Sequence, residues 1–233
     1  MFKRIPAVAL IAGTLLALSS CGTKQGLIKL DAEDLLGRGR TRYEAGKYSR
    51  AADDFKEVLY NYSGTRIAAE AGFLLGECHF KMKEYETAAE DYQLFLADYP
   101  DAARADEAQI RLAQAYLKLS PHHALDQRET GERALEAIDR FFDRFPDSKL
   151  ADRARSVRVE IQEKLARKEF EAGKFYAKRK LFRSARIYLE GIVNEYPDTK
   201  WAAEARTLLA GLPAAAPLPG TADTMRAVPG GRN

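Results

Sequence analysis

The chain has 233 residues, 46% of them hydrophobic and 30% charged, which suits one or two ordinary globular units with a buried core. Its net charge of +3 falls to about +1 once Lys3 and Arg4 are set aside, which excludes the basic footprint of a nucleic-acid binder. The two cysteines, Cys21 and Cys78, lie in unlike contexts and give no disulfide framework.

Met1 to Ser20 reads as an export signal: a basic start at Lys3-Arg4, then an apolar stretch from Ile5 to Leu18 that is short for a bilayer span. It ends in Leu18-Ser19-Ser20-Cys21, which resembles the bacterial lipobox. That resemblance implies cleavage before Cys21, a diacylglycerol on its thiol and an acyl chain on its new amino group. Three chains hold a protein on a membrane durably, where one would not. The competing reading is an ordinary secreted chain with a chance cysteine here. Gly22, rather than Asp, follows the cysteine and points to the outer membrane, periplasmic face. Residues 21–30 read as a short lipidated tether, and the folded part is expected from Asp31.

From there one phrase recurs. It runs Tyr62-Ser63-Gly64-Thr65, Tyr99-Pro100-Asp101-Ala102, Phe145-Pro146-Asp147-Ser148 and Tyr196-Pro197-Asp198-Thr199, each followed by an Ala-rich turn. An aromatic closes an amphipathic run, Pro stops it in three of the copies, and Asp with Ser or Thr starts the next helix. The spacings of 37, 46 and 51 residues are those of helical-repeat arrays or just above them. The expected fold is therefore all-α, a solenoid of helix pairs, with units at about 31–63, 65–100, 102–146 and 148–197, then a half-repeat at 199–211.

The first unit carries Gly39 at a close helix approach and the stripe Ala51, Ala52, Phe55, Val58, Leu59 and Tyr62. The second repeats it with Gly76 and Ala88, Ala89, Tyr92, Phe95, Leu96 and Tyr99. In the third unit nine extra residues fall around Ser120 to Arg128, an enlarged loop. The fourth lacks any strong break from Ser148 to Lys178, which predicts one long helix of roughly 46 Å. The Pro- and Gly-rich stretch 212–233 is expected to be a disordered tail.

Gly76, Ala88, Tyr92 and Pro100 fall where the tetratricopeptide repeat (TPR) places a small residue, Ala, an aromatic and Pro, and Gly173, Ala185, Leu189 and Pro197 give a second close match. A narrower resemblance follows from Gln162-Glu163-Lys164-Leu165-Ala166-Arg167-Lys168-Glu169-Phe170-Glu171-Ala172-Gly173-Lys174-Phe175-Tyr176, from Glu195 to Thr199, and from the third-unit insertion. Together with the lipobox, these resemble the BamD family, the TPR lipoproteins of the outer-membrane β-barrel assembly (BAM) machinery. That resemblance implies a lipid-anchored, non-enzymatic scaffold that docks on periplasmic domains of the barrel protein BamA, beside other BAM lipoproteins, and receives nascent outer-membrane proteins. Two features depart from the family: the fifth repeat has no second helix, and Tyr188 stands where the family often has Arg.

Solenoids of this kind line a groove with first-helix residues, here Leu36, Arg40 and Tyr43, then Phe73, Glu77, Phe80 and Lys81, then Ile110, Gln114 and Leu117. Aromatics among a few charges suit an extended peptide, with Arg40 or Lys81 for a terminal carboxylate; the alternative is that the same aromatics simply pack between helices. A basic cluster with Arg179, Arg183 and Arg186, next to Tyr188, is a candidate docking surface for an acidic partner, or else a solvated helix end. No catalytic, cofactor or metal motif is legible: Cys78 and His79 are adjacent on a helix, about 100° apart, and His122-His123 lack further ligands at metal-binding spacing. A general TPR envelope adaptor, serving peptidoglycan enzymes or the Tol-Pal system, is the other functional reading.

Overall fold

The structure, a computed structural model, describes residues 31–119 and 127–213. The lipobox Cys21, the tether, His122-His123 and the tail from residue 214 lie outside the described residues. What is described is helical: α1 (Ala32–Glu44), α2 (Tyr48–Tyr62), α3 (Arg66–Lys81), α4 (Tyr85–Asp98), α5 (Ala105–Leu119), α6 (Gln127–Arg144), α7 (Ala151–Lys178), α8 (Phe182–Glu195) and α9 (Lys200–Gly211). Consecutive helices pack as hairpins, each hairpin on the next, and first helices also touch one another, α1 with α3, α5 with α7 and α7 with α9. The chain is an all-α TPR solenoid. None of the described helices is long and apolar enough to cross a membrane.

The recurring phrase starts the helices as its chemistry requires. Thr65 accepts a hydrogen bond from Ala68 N at 3.1 Å and Thr199 from Ala202 N at 3.2 Å, satisfying donors that an open helix end leaves free. Ser148 differs. Its hydroxyl donates to Asp106 at 2.6 Å and accepts from Leu150 N at 3.0 Å, so the chain turns once more and the long helix begins at Ala151 rather than near 148. At 28 residues α7 is about 42 Å long, and it touches α5, α6, α8 and α9.

Repeat equivalence extends to single contacts. A Cβ on Gly39 would lie 2.5 Å from the Phe55 ring, and one on Gly76 2.7 Å from the Tyr92 ring. The helices thus approach closely enough to seat a ring directly on the facing backbone. Buried Asp54 takes Arg42 at 2.6 Å; 37 residues on, His79 Nδ1 meets Asp91. In the last full repeat the same two positions are Tyr176 and Tyr188, stacked at 5.4 Å with an interplanar angle of 14°. The ion pair has become a ring pair. The third-unit insertion lengthens α6, which starts seven residues before Ala134, where α4 starts three before Ala88.

Candidate peptide groove and docking surface

Each first helix turns one stripe toward its neighbours. In α3 it is Arg66, Glu70, Phe73 and Glu77; in α5, Ala103, just before the helix, then Glu107, Ile110 and Gln114; in α7, Glu163, Arg167, Phe170 and Lys174. The apolar member seats against the adjoining unit. Phe73 is wholly buried, with Phe95 edge-on at 5.9 Å and the Arg104 guanidinium 3.6 Å over its face. Around it opens a cleft of about 560 Å³, lined also by Arg66, Glu70, Tyr99 and the 100–104 turn. Tyr99 holds one wall, its hydroxyl accepting from Gly64 N at 3.3 Å.

The predicted groove residues divide. Leu36, Phe73 and Ile110, which share one register, are buried between helices because an apolar side chain there meets the next unit before it meets solvent, and Leu117, at the register of Tyr43 and Phe80, is buried too. They form the floor and not a free lining. Arg40 is engaged by Glu70, Nε to Oε1 at 3.1 Å, a hydrogen bond that raises its pKa. Tyr43 and Phe80 each turn an edge to the first aromatic of their own hairpin's second helix, Tyr48 and Tyr85, at 5.3 Å. Lys81 is exposed.

Glu77 is 4% exposed and organises the centre. It accepts the Tyr92 hydroxyl at 2.6 Å and Arg111 Nη2 at 3.1 Å, with Arg111 Nε 2.8 Å away, while Gln114 accepts from Arg111 Nη1 at 3.3 Å. Burial first, and the Glu77 charge second, push the Tyr43 hydroxyl up to about 12. Tyr43, Glu77, Phe80, Arg111 and Gln114 therefore make one polar and aromatic strip across three first helices. The sequence reading missed Arg66, Glu70, Arg104 and Arg111. Their signal was present in the repeat register, since Arg104 lies 31 residues beyond Phe73 and Trp201 lies 31 beyond Phe170.

On the candidate docking surface the four predicted residues also separate. Arg179 and Arg183 are exposed, the first with its guanidinium 4.5 Å over Phe175. Arg186 is committed elsewhere, donating to the Leu212 and Pro213 carbonyls at 3.0 and 3.1 Å, and Tyr188 is occupied by its stack on Tyr176. Three exposed apolar side chains accompany the arginines: Phe175, Leu181 and Ile187. Leu181 and Ile187 stand where the second unit has Glu84 and Glu90.

Cys78 is fully buried, and burial, with the Glu77 and Asp91 charges adding, pushes its thiol up to about 12. A thiol reagent at pH 8 is expected to leave the native protein unlabelled at Cys78 and to react once it is unfolded. Labelling of the native protein at the rate of a small thiol would contradict this. Among the described residues no group of three or more His, Cys, Asp or Glu is placed to hold a metal.

Among solved structures, MamA from Desulfovibrio magneticus RS-1 aligns at 20% identity, with 70% of this chain and 74% of that chain covered and a TM-score of 0.40. A TPR protein of Thermus thermophilus aligns at 17% identity, covering 78% and 98%, with a TM-score of 0.43. The TPR2AB domain of yeast Sti1, solved as a pHSP90 complex, aligns at 14% identity, covering 78% and 69%, with a TM-score of 0.47. No curated protein matches the chain. The family described as YfiO, outer membrane lipoprotein, matches residues 29–215, which spans all of α1 to α9. The chain belongs to the YfiO family of outer membrane lipoproteins.

Proposed function

We propose that this lipoprotein is a non-enzymatic scaffold of outer-membrane β-barrel assembly, the role of BamD, held through Cys21 on the periplasmic face. The family match carries the reading. The groove supports it: the Phe73 cleft offers rings beneath a guanidinium and suits an aromatic residue next to a carboxylate, as at the end of a barrel protein. The α7–α8 turn supplies the docking surface. Arg179 and Arg183 beside exposed Phe175 and Leu181 combine charge steering with a small apolar anchor, which fits an acidic patch on a BamA-like periplasmic domain.

The test is a mild-detergent pull-down of the lipidated protein from its own envelope. A β-barrel with periplasmic repeat domains is the expected main partner, reduced at least tenfold by Arg179→Glu with Arg183→Glu. Recovery of peptidoglycan enzymes or Tol-Pal components without that barrel would replace the assembly role with that of a general envelope adaptor. The half-repeat α9 would offer such an adaptor a further surface.

A further inference from the structure

The charges of the first-helix face are redistributed in the fourth unit. At its second stripe position the first three units carry Glu33, Glu70 and Glu107, while the fourth carries Arg167; the last position reads Arg40, Glu77, Gln114 and then Lys174, and at the first position Glu163 stands where the second unit has Arg66. The aromatic floor is kept. Phe170, 6% exposed, takes the place of Phe73, and half-buried Trp201 takes the place of Arg104, their ring centroids 5.3 Å apart.

Three cations surround these rings. Lys200 Nζ lies 4.8 Å and the Arg167 guanidinium 5.9 Å from the Trp201 ring, and Lys174 Nζ lies 5.8 Å from that of Phe170. All three side chains belong to exposed residues. Two carboxylates are near: Glu171, 3.7 Å from Lys174, and Glu163, which accepts from Lys200 N at 2.8 Å and so serves the start of α9. A basic, ring-floored strip remains.

We infer that this α7–α9 strip is a second binding site, for an extended acidic peptide segment of a protein partner, laid over Phe170 and Trp201 between Arg167, Lys174 and Lys200. Arg167 and Lys174 are seven residues apart on one helix, about 10 Å. Side chains on one face of an extended chain are two or four residues apart, about 7 or 13 Å, so two carboxylates four apart, with an apolar side chain midway between them on the same face, match the strip. The chain's own residues 214–233 do not: they carry one side-chain carboxylate, Asp223, against Arg226 and Arg232. The strip is separate from the Phe73 cleft and from Arg179 and Arg183, and does not depend on the assembly role.

Trp201 is the one tryptophan in the chain, so its emission reports this site directly. The probe is an end-blocked peptide, Gly-Glu-Ala-Phe-Ala-Glu-Gly, compared with the version carrying Gln for Glu. The acidic peptide is expected to change Trp201 emission saturably and to bind at least tenfold tighter than the Gln peptide, the gap closing as salt rises. Arg167→Glu with Lys174→Glu is expected to abolish the response with helical circular dichroism intact, and Lys56→Glu, at an exposed position on α2, to leave it unchanged. An equal response to the Gln peptide, or none to either, overturns the proposal. So does a response only to phosphatidylglycerol vesicles, or one that follows protein concentration without peptide, since these assign the strip to lipid or to a second copy.

Discussion

Replacing Gly76 by Leu is expected to lower stability by about 3 kcal/mol, roughly 6–12 °C in Tm. A Cβ there lies 2.7 Å from the Tyr92 ring, which is fully buried and tied through its hydroxyl to Glu77 at 2.6 Å. The ring has nowhere to swing, so α3 and α4 must separate. The matched control is Gly37→Ala in α1, where nothing lies within 4 Å of the added carbon. Helix propensity then acts alone and should add up to about 1 kcal/mol of stability. Opposite signs for the two changes in thermal melts would establish that contact, and not loss of glycine, decides the outcome. Equal small effects would contradict the close approach.

Glu77→Ala is expected to cost about 3 kcal/mol, for a different reason. It leaves the Tyr92 hydroxyl in the core without its acceptor and Arg111 without its counter-charge. Arg111 is 21% exposed and can recover some hydration, which holds the cost to the lower part of the range for a broken buried pair. Glu77→Gln keeps an acceptor for Tyr92 and should cost less than half as much. Adding Arg111→Met to Glu77→Ala should restore about 1 kcal/mol. A double mutant as unstable as the sum of its single changes would remove Arg111 from the network.

The hairpins were legible because each depends on local chemistry that the sequence displays. The stripes Ala51 to Val58 and Ala88 to Leu96 required burial, and Gly39 and Gly76 marked where a ring would sit. Which first-helix residues stay free for a ligand was less legible. Leu36, Phe73 and Ile110 share their register with the groove, but the neighbouring unit reaches them first, and that depends on crossing geometry absent from any single repeat. Arg104 shows the same limit. It reaches the Phe73 face from just outside the next helix, across a break in the chain. The docking arginines divided because Arg186 found carbonyls 26 and 27 residues later, a tertiary partner that periodicity does not announce.

Stacked repeats melt in segments when each touches only its neighbours. Helix α7 keeps to that rule but joins both of its boundaries in one rod, since its 28 residues contact α5 and α6 of the unit before it and α9 after it, besides its own partner α8. A lever of that length transmits torque: tilting its far end to admit a partner near Phe175 displaces its near end against the third unit. A load taken up at the α7–α8 turn is therefore expected to reach α5 and α6 along one helix, without crossing a loop.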